Sequence, residues 1–166
     1  MGVNIQMALP TEEDIVYLAS YMRQADINEL RVTCDLSPIE AIKASINKTE
    51  PDFLFAVFAN GRLICIGGCA STLLSGAGTP WLLATEEIQL YTRRLTRDAI
   101  RGVRMMLEKW SILSNVVDAR NTASIRWLKA IGFDMTETIE IKPGYSLIRF
   151  VIHAHSNTGS KIPVYS

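Results

Sequence analysis

The chain has 166 residues, the length of one domain, and enough to bury a core without help from metal or disulfide. Apolar residues make up 48% and charged residues 20%, which excludes a disordered or collagen-like chain. Seventeen Lys and Arg balance seventeen Asp and Glu, so neither a nucleic-acid coat nor an electrostatic membrane anchor is expected.

The longest unbroken apolar run, Phe53 to Ala59, is far short of the roughly 20 residues that span a bilayer. Met1 to Leu9 carries neither a basic start nor a long hydrophobic stretch, so no secretory signal is expected and the protein reads as cytoplasmic. Cys34, Cys65 and Cys69 form no metal or disulfide pattern and read as small apolar residues of a reducing compartment. His153 and His155 have no carboxylate or cysteine at ligand spacing, so no metal site is expected.

In chain order, Asn4 to Leu9 reads as a first strand stopped by Pro10. Thr11 caps a helix with an apolar face of Ile15, Leu18, Ala19 and Met22. A turn-rich piece follows at Ala25 to Leu36, with room for a short helix. Ser37-Pro38-Ile39-Glu40 then starts a helix that runs to about Lys48. Phe53 to Ala59 and Arg62 to Ala70 flank Asn60-Gly61, a type I′ hairpin signal. A Gly-rich turn, Ser75 to Thr79, leads to a strand at Pro80 to Thr85.

The stripe Leu95, Ala99, Val103, Met106, Leu107 and Trp110 marks a long helix from about Thr92 to Trp110. Ile112 to Val117 is a strand. Asn121 caps a helix that ends at Ile131, with Gly132 as its left-handed stop and Phe133 as the following contact. Met135 to Ile141 and Leu147 to His153 close the pattern as strands joined by Lys142-Pro143-Gly144. The fold class is α/β (α+β): one domain over residues 1–153, with a mixed twisted sheet of six to seven strands and helices on both faces. Residues 154–166 read as a flexible polar tail.

This order, with the segment Asp118 to Phe133 built as an Asn-led helix ending in Gly-Phe, resembles the GNAT superfamily of N-acetyltransferases. Within it, the chain is similar to GNAT-like proteins of short-tailed phages and prophages, some known as internal virion protein A. The likeness rests on Asp26-x-x-Glu29, on Pro80-Trp81-Leu82-Leu83-x-Thr85-x-Glu87-Ile88, and on the Ile125-Arg126-Trp127-Leu128-Lys129 helix. The resemblance implies acetyl-CoA as acyl donor and an amine or a protein as acceptor. It also implies a cofactor site near Thr85, Arg93, Arg94, Thr96, Arg97 and Asn121.

Two departures stand beside it. Gln89 to Arg97 contains no glycine where GNAT enzymes carry a Gly-rich pyrophosphate loop, and Leu128 stands where they commonly place a Tyr general acid. Transfer to an amine needs a base, and Glu86 or Glu87 at a strand end, or Glu29 from a facing loop beside Asp26, are the candidates. Arg94, Arg97, Arg101 and Arg104 share one helix face; they read either as a solvated face, as a phosphate clamp with Arg93, or as a patch for an acidic macromolecule. Two functions stay open: a phage-encoded acetyltransferase of the host cytoplasm, or an inactive GNAT-fold protein that serves phage morphogenesis or host takeover by binding a phage or host protein. A membrane partner is not expected, and a nucleic-acid partner is disfavoured.

Overall fold

The computed structural model describes residues 2–72 and 75–154. It begins with β1 (Ile5–Ala8), held antiparallel to β2 (Phe55–Ala59). Thr11 caps α1 (Glu12–Tyr21): its hydroxyl accepts from Asp14 N–H, and the Asp14 carboxylate accepts from Thr11 N–H at 2.8 Å. Ser37 and Glu40 build the same reciprocal cap on α3 (Pro38–Lys48). Between them the turn-rich piece is a full helix, α2 (Gln24–Thr33). Asp26 and Glu29 therefore lie on a helix, three positions apart, and not on a loop.

A short 3₁₀ turn, Pro51–Phe53, leads into β2, which turns back at Asn60-Gly61 into β3 (Arg62–Ser71). Asn60 and Gly61 have φ of 50° and 80°, the double left-handed geometry that a type I′ turn requires. The next strand, β4 (Ala77–Ala84), starts earlier than the proline suggests. Its early start depends on Gly78, where a side chain would meet Cys69 Sγ, Leu113 Cδ2 and Trp110 Cδ2, each at 2.8 Å.

After a 3₁₀ turn over Glu86–Tyr91 come α4 (Thr92–Lys109), β5 (Ile112–Asp118) and α5 (Thr122–Ala130). Asn121 caps α5 by accepting from Ser124 N–H, and Gly132, at φ 112°, ends it. Phe133 N–H then bonds back to Leu128 O at 3.0 Å. β6 (Asp134–Lys142) and β7 (Tyr145–His153) close the domain as an antiparallel pair.

The seven strands form one mixed sheet in the order β1-β2-β3-β4-β5-β7-β6, with β4 and β5 its parallel pair. Side chains alternate along each strand, so each face of the sheet meets its own helices. On one face α1 and α3 pack Ile15, Leu18 and Ile42 against Ala56 and Ile66. On the other, Val103 and Met106 of α4 and Trp110 just after it join Leu113, Val117 and Phe150, with Trp127 and Leu128 of α5 packed against them. Leu18, Ile42 and Leu113 are fully buried, each worth about 2 kcal/mol of transfer free energy. Among the described residues no helix is long and apolar enough to cross a membrane. Apart from Ala154, the expected tail, 154–166, lies outside the described residues.

Candidate active site

β4 and β5 are paired at Ala77–Ile112 and Gly78–Leu113, then separate toward their C-terminal ends. Two strands that part in the middle of a sheet leave backbone donors and acceptors facing a gap, and each buried one needs a partner. Thr85 N–H bonds to Ile64 O on β3, so by antiparallel alternation positions 84, 82, 80 and 78 of β4 turn their backbone groups toward β5.

The chain supplies most of the partners from its own side chains. Position 80 is a proline and has no N–H; its carbonyl accepts from Asn115 Nδ2 across the gap at 2.9 Å. Asn115 Oδ1 accepts from Val116 N–H at 2.8 Å, so one amide side chain stands in for lost strand pairing on both sides. α2 closes the wide end. Arg23 N–H donates to Ala84 O at 2.8 Å, Asp26 Oδ2 accepts from Ala84 N–H at 2.8 Å, and Glu29 Oε2 accepts from Asp118 N–H at 2.9 Å. Leu82 keeps its N–H and C=O toward the gap.

A cavity of about 360 Å³ follows this gap through the sheet to the α4 and α5 face. Its walls include Pro80 and Leu82 of β4, Asn115 of β5, Leu95 of α4, and Trp127 and Leu128 of α5. Arg23 reaches it at the α2 end, its Nη2 3.4 Å from Ser124 Oγ on α5. Arg23 Nε lies 2.8 Å from Asp26 Oδ2, an ion pair whose N–H does not point along the contact. At the α4 end, Trp127 Nε1 donates to Thr96 Oγ1 at 3.2 Å and ties the two helices together.

The electrostatics single out Glu29. Burial pushes its carboxyl up to about 7; the Asp118 amide opposes this, and the nearby Asp26 and Asp118 charges add to it. Burial also raises Asp26, against the pull of Arg23 and the Ala84 amide. Asp118 is held low by Arg120, whose Nη2 donates to it at 2.6 Å. Burial raises Cys65, which touches the cavity, to about 12, so it is an inert thiol there.

The residues chosen from sequence do not gather in one place. Glu29 holds the Asp118 amide at the β5 end of the gap and does not itself line the cavity. Glu86 Oε1 accepts from Gln24 N–H at 2.8 Å and so caps α2, Glu87 pairs with Arg62, and neither lines the cavity. Thr85 is buried against β3, with its N–H and hydroxyl both directed to Ile64 O. Asn121 is engaged in capping α5, and the Thr96 hydroxyl donates to Thr92 O. Arg93, Arg94 and Arg97 are exposed at the start of α4 and make no ion pair among the described residues. Of the segment at the phosphate-loop position, Gln89 to Arg97, the first three residues end the Glu86–Tyr91 3₁₀ turn and the rest form the first turns of α4. Among the described residues no cluster of side chains is arranged to hold a metal ion. Sequence reasoning missed Asn115; its one signal is an asparagine inside the apolar run Ile112 to Val117.

No family model and no curated protein matches the chain by sequence. Its backbone, by contrast, is similar to many solved structures. A GNAT-family acetyltransferase from Bacillus anthracis superposes with a TM-score of 0.67 at 12% identity, over 91% of this chain and 95% of that one. Spermidine N-acetyltransferase from Vibrio cholerae, solved with CoA and spermine, gives 0.66 at 13% identity over 91% and 96%. Aminoglycoside acetyltransferase AAC(6')-Ib, solved with coenzyme A, gives 0.63 at 18% identity over 93% and 99%. At such identities the likeness is one of fold, and the fold is GNAT-like.

Proposed function

We propose that the chain is an acetyl-CoA-dependent N-acetyltransferase acting on a small amine or a protein, with Glu29 as the general base. The observation that carries this reading is the β4/β5 gap: a cavity passes through it, a β4 amide is directed into it, and a carboxyl near neutrality holds the Asp118 amide at its wide end.

The site fits the donor in two respects. The cavity walls are mainly apolar, which suits the methylene and methyl groups of a pantetheine arm, and Arg93, Arg94 and Arg97 are exposed where they can meet phosphates. The first amides of α4 follow a 3₁₀ turn without a glycine, so phosphate binding falls to side chains more than to bare backbone. Acetyl-CoA supplies the acyl group. The chain's own part is to aim the Leu82 N–H at a developing oxyanion and to hold a base at Glu29. Glu29 Oε2 is engaged by the Asp118 amide, which leaves Oε1 to take a proton from an ammonium.

A second reading is a non-catalytic GNAT-fold protein, phage-encoded as the sequence resemblance implies, that works by binding other proteins. It is favoured by the own-chain partners on the Ala84, Val116 and Asp118 amides and by Leu128 in place of a hydroxyl acid. Calorimetric titration with acetyl-CoA and with CoA separates the two. Binding on the enzyme reading brings a stabilisation of about 2.7 kcal/mol at a hundredfold excess over Kd. Absence of heat and of any thermal shift at millimolar ligand removes the enzyme reading.

A further inference from the structure

We infer that a second copy of this chain pairs with the outer edge of β1, which no strand among the described residues covers, and extends the sheet across a two-fold axis. This stands apart from the cofactor reading and rests on the edge itself. Asn60 N–H bonds to Asn4 O at 2.8 Å, so by alternation positions 4, 6 and 8 face β2 while Ile5 and Met7 turn their N–H and C=O outward. β1 is the end strand of the sheet, and an end strand is a template for another strand unless charge, proline or cover blocks it.

The two edges of the sheet differ in this respect. β6, at the far edge, carries Asp134, Glu137, Glu140 and Lys142. No charged side chain occurs in the sequence before Glu12. In a two-fold antiparallel pair a segment faces its own copy, so a charged strand repels itself and a neutral one does not. β1 is the neutral one.

The side chains agree with the backbone. Val3, Met7 and Leu9, at alternate positions and hence on one face, are exposed by 43%, 62% and 66%. Met105 of α4, exposed by 56%, lines the same cavity rim as Ile5 and Met7. A two-fold that places Ile5 opposite the second copy's Met7 lets both pairs exchange main-chain hydrogen bonds and joins the two apolar stripes. A strand pair alone is small against the roughly 1,200–2,000 Å² of a stable interface, and the apolar stripe adds to the area the pair buries. The second copy then covers the β1 end of the cavity.

The test is hydrogen exchange at the Ile5 and Met7 amides together with sedimentation, on the full chain from micromolar to millimolar concentration. Both amides are solvent-facing in one copy, so protection that grows with concentration alongside a shift to dimer mass supports the inference. Met7→Pro removes an N–H that the single copy does not use, and Met7→Lys places like charges across the axis. Both should return the chain to monomer mass with unchanged far-UV circular dichroism. A wild type that is monomeric throughout, with both amides unprotected, overturns the inference. So does a dimer that persists in the folded Met7→Lys chain.

Discussion

Asp26 and Glu29, three positions apart on α2, hold the amides of two different strands: Asp26 takes Ala84 N–H at the end of β4, and Glu29 takes Asp118 N–H at the end of β5. One helical turn thus bridges strands that no longer pair with each other, and its carboxylates replace the hydrogen bonds the parting removed. Removing water from Glu29 in this position makes its charge costly. Folded Glu29 titrates near 7 against a usual value of 4.5. Between these values the folded chain holds the extra proton. Stability is therefore greatest at and below about 4.5 as far as this group is concerned, falls as pH rises to about 7, and is level beyond. The full drop is of the order of 3 kcal/mol. Glu29→Gln keeps an acceptor for the Asp118 amide without the charge. Thermal melts should show the variant gaining on the wild type from pH 5 to pH 8, and parallel curves would sink the assignment.

The same group sets the expected rate profile. With Glu29 as base, kcat/KM should rise with pH through about 7 and then level off. Glu29→Gln should lower turnover by roughly 10²-fold or more and abolish that rise, while the affinity for CoA stays within a factor of a few. Initial rates on an amine panel from pH 5.5 to 9 check this. Equal profiles in both proteins would assign the base elsewhere, and Glu86→Gln is then the next variant to measure.

Arg94 and Arg97 are exposed and carry no ion pair among the described residues, so changing both to Ala should move stability by less than about 0.5 kcal/mol. If they meet phosphates, the double variant should weaken CoA at low salt, and less so at high salt where screening already weakens the contact. A pantetheine fragment without phosphates should bind both proteins alike. Equal loss for both ligands would show damage to the cavity instead.

Most of the fold was legible because its signals are local. Thr11, Ser37 and Asn121 cap their helices as residue type and spacing suggest, and Asn60-Gly61 adopts the hairpin geometry written in its sequence. The site was less legible because its contacts are not local. Asp26 meets a partner 58 positions away and Glu29 one 89 positions away, and no periodicity reports such a distance. Asp-x-x-Glu could be singled out, but its attachment to two strand ends could not. Glu86 looked like a cleft carboxylate from its place after β4, yet the N-terminus of α2 competes for it with an unsatisfied amide. The Glu86–Tyr91 turn is helical because, with no glycine to hold it open, it continues into the residues of α4.

Gly78 sits at the last β4/β5 pair, and a methyl group there collides with Cys69, Leu113 and Trp110 at once. Gly78→Ala should cost about 1–3 kcal/mol through overpacking. Gly102, on α4, has open space around its missing side chain, so Gly102→Ala should stabilise by about 0.5–1 kcal/mol. Chemical denaturation of the two variants side by side tests the contrast, and a Gly78→Ala chain as stable as the wild type would show that β4 does not need its close approach.

Asn115 gives the most direct test of how the gap is held. Its amide satisfies Val116 N–H on its own strand and Pro80 C=O across the opening. Asn115→Ala leaves both without this partner, at about 1–3 kcal/mol for each group that stays buried. Asn115→Asp separates the two bonds. Ionised, the new carboxylate still accepts from Val116 N–H but faces the Pro80 carbonyl with no proton to share. Protonated, it donates there as the amide does. Burial and the facing carbonyl should raise its folded value above the usual one for an aspartate, so the folded chain binds the extra proton. The variant should therefore approach wild-type stability at low pH and fall away as pH rises through that value. Melting both proteins from pH 4 to pH 8 reads this difference. A constant gap between the two curves would mean that the bond to Pro80 contributes nothing and that α2 alone keeps β4 and β5 in place.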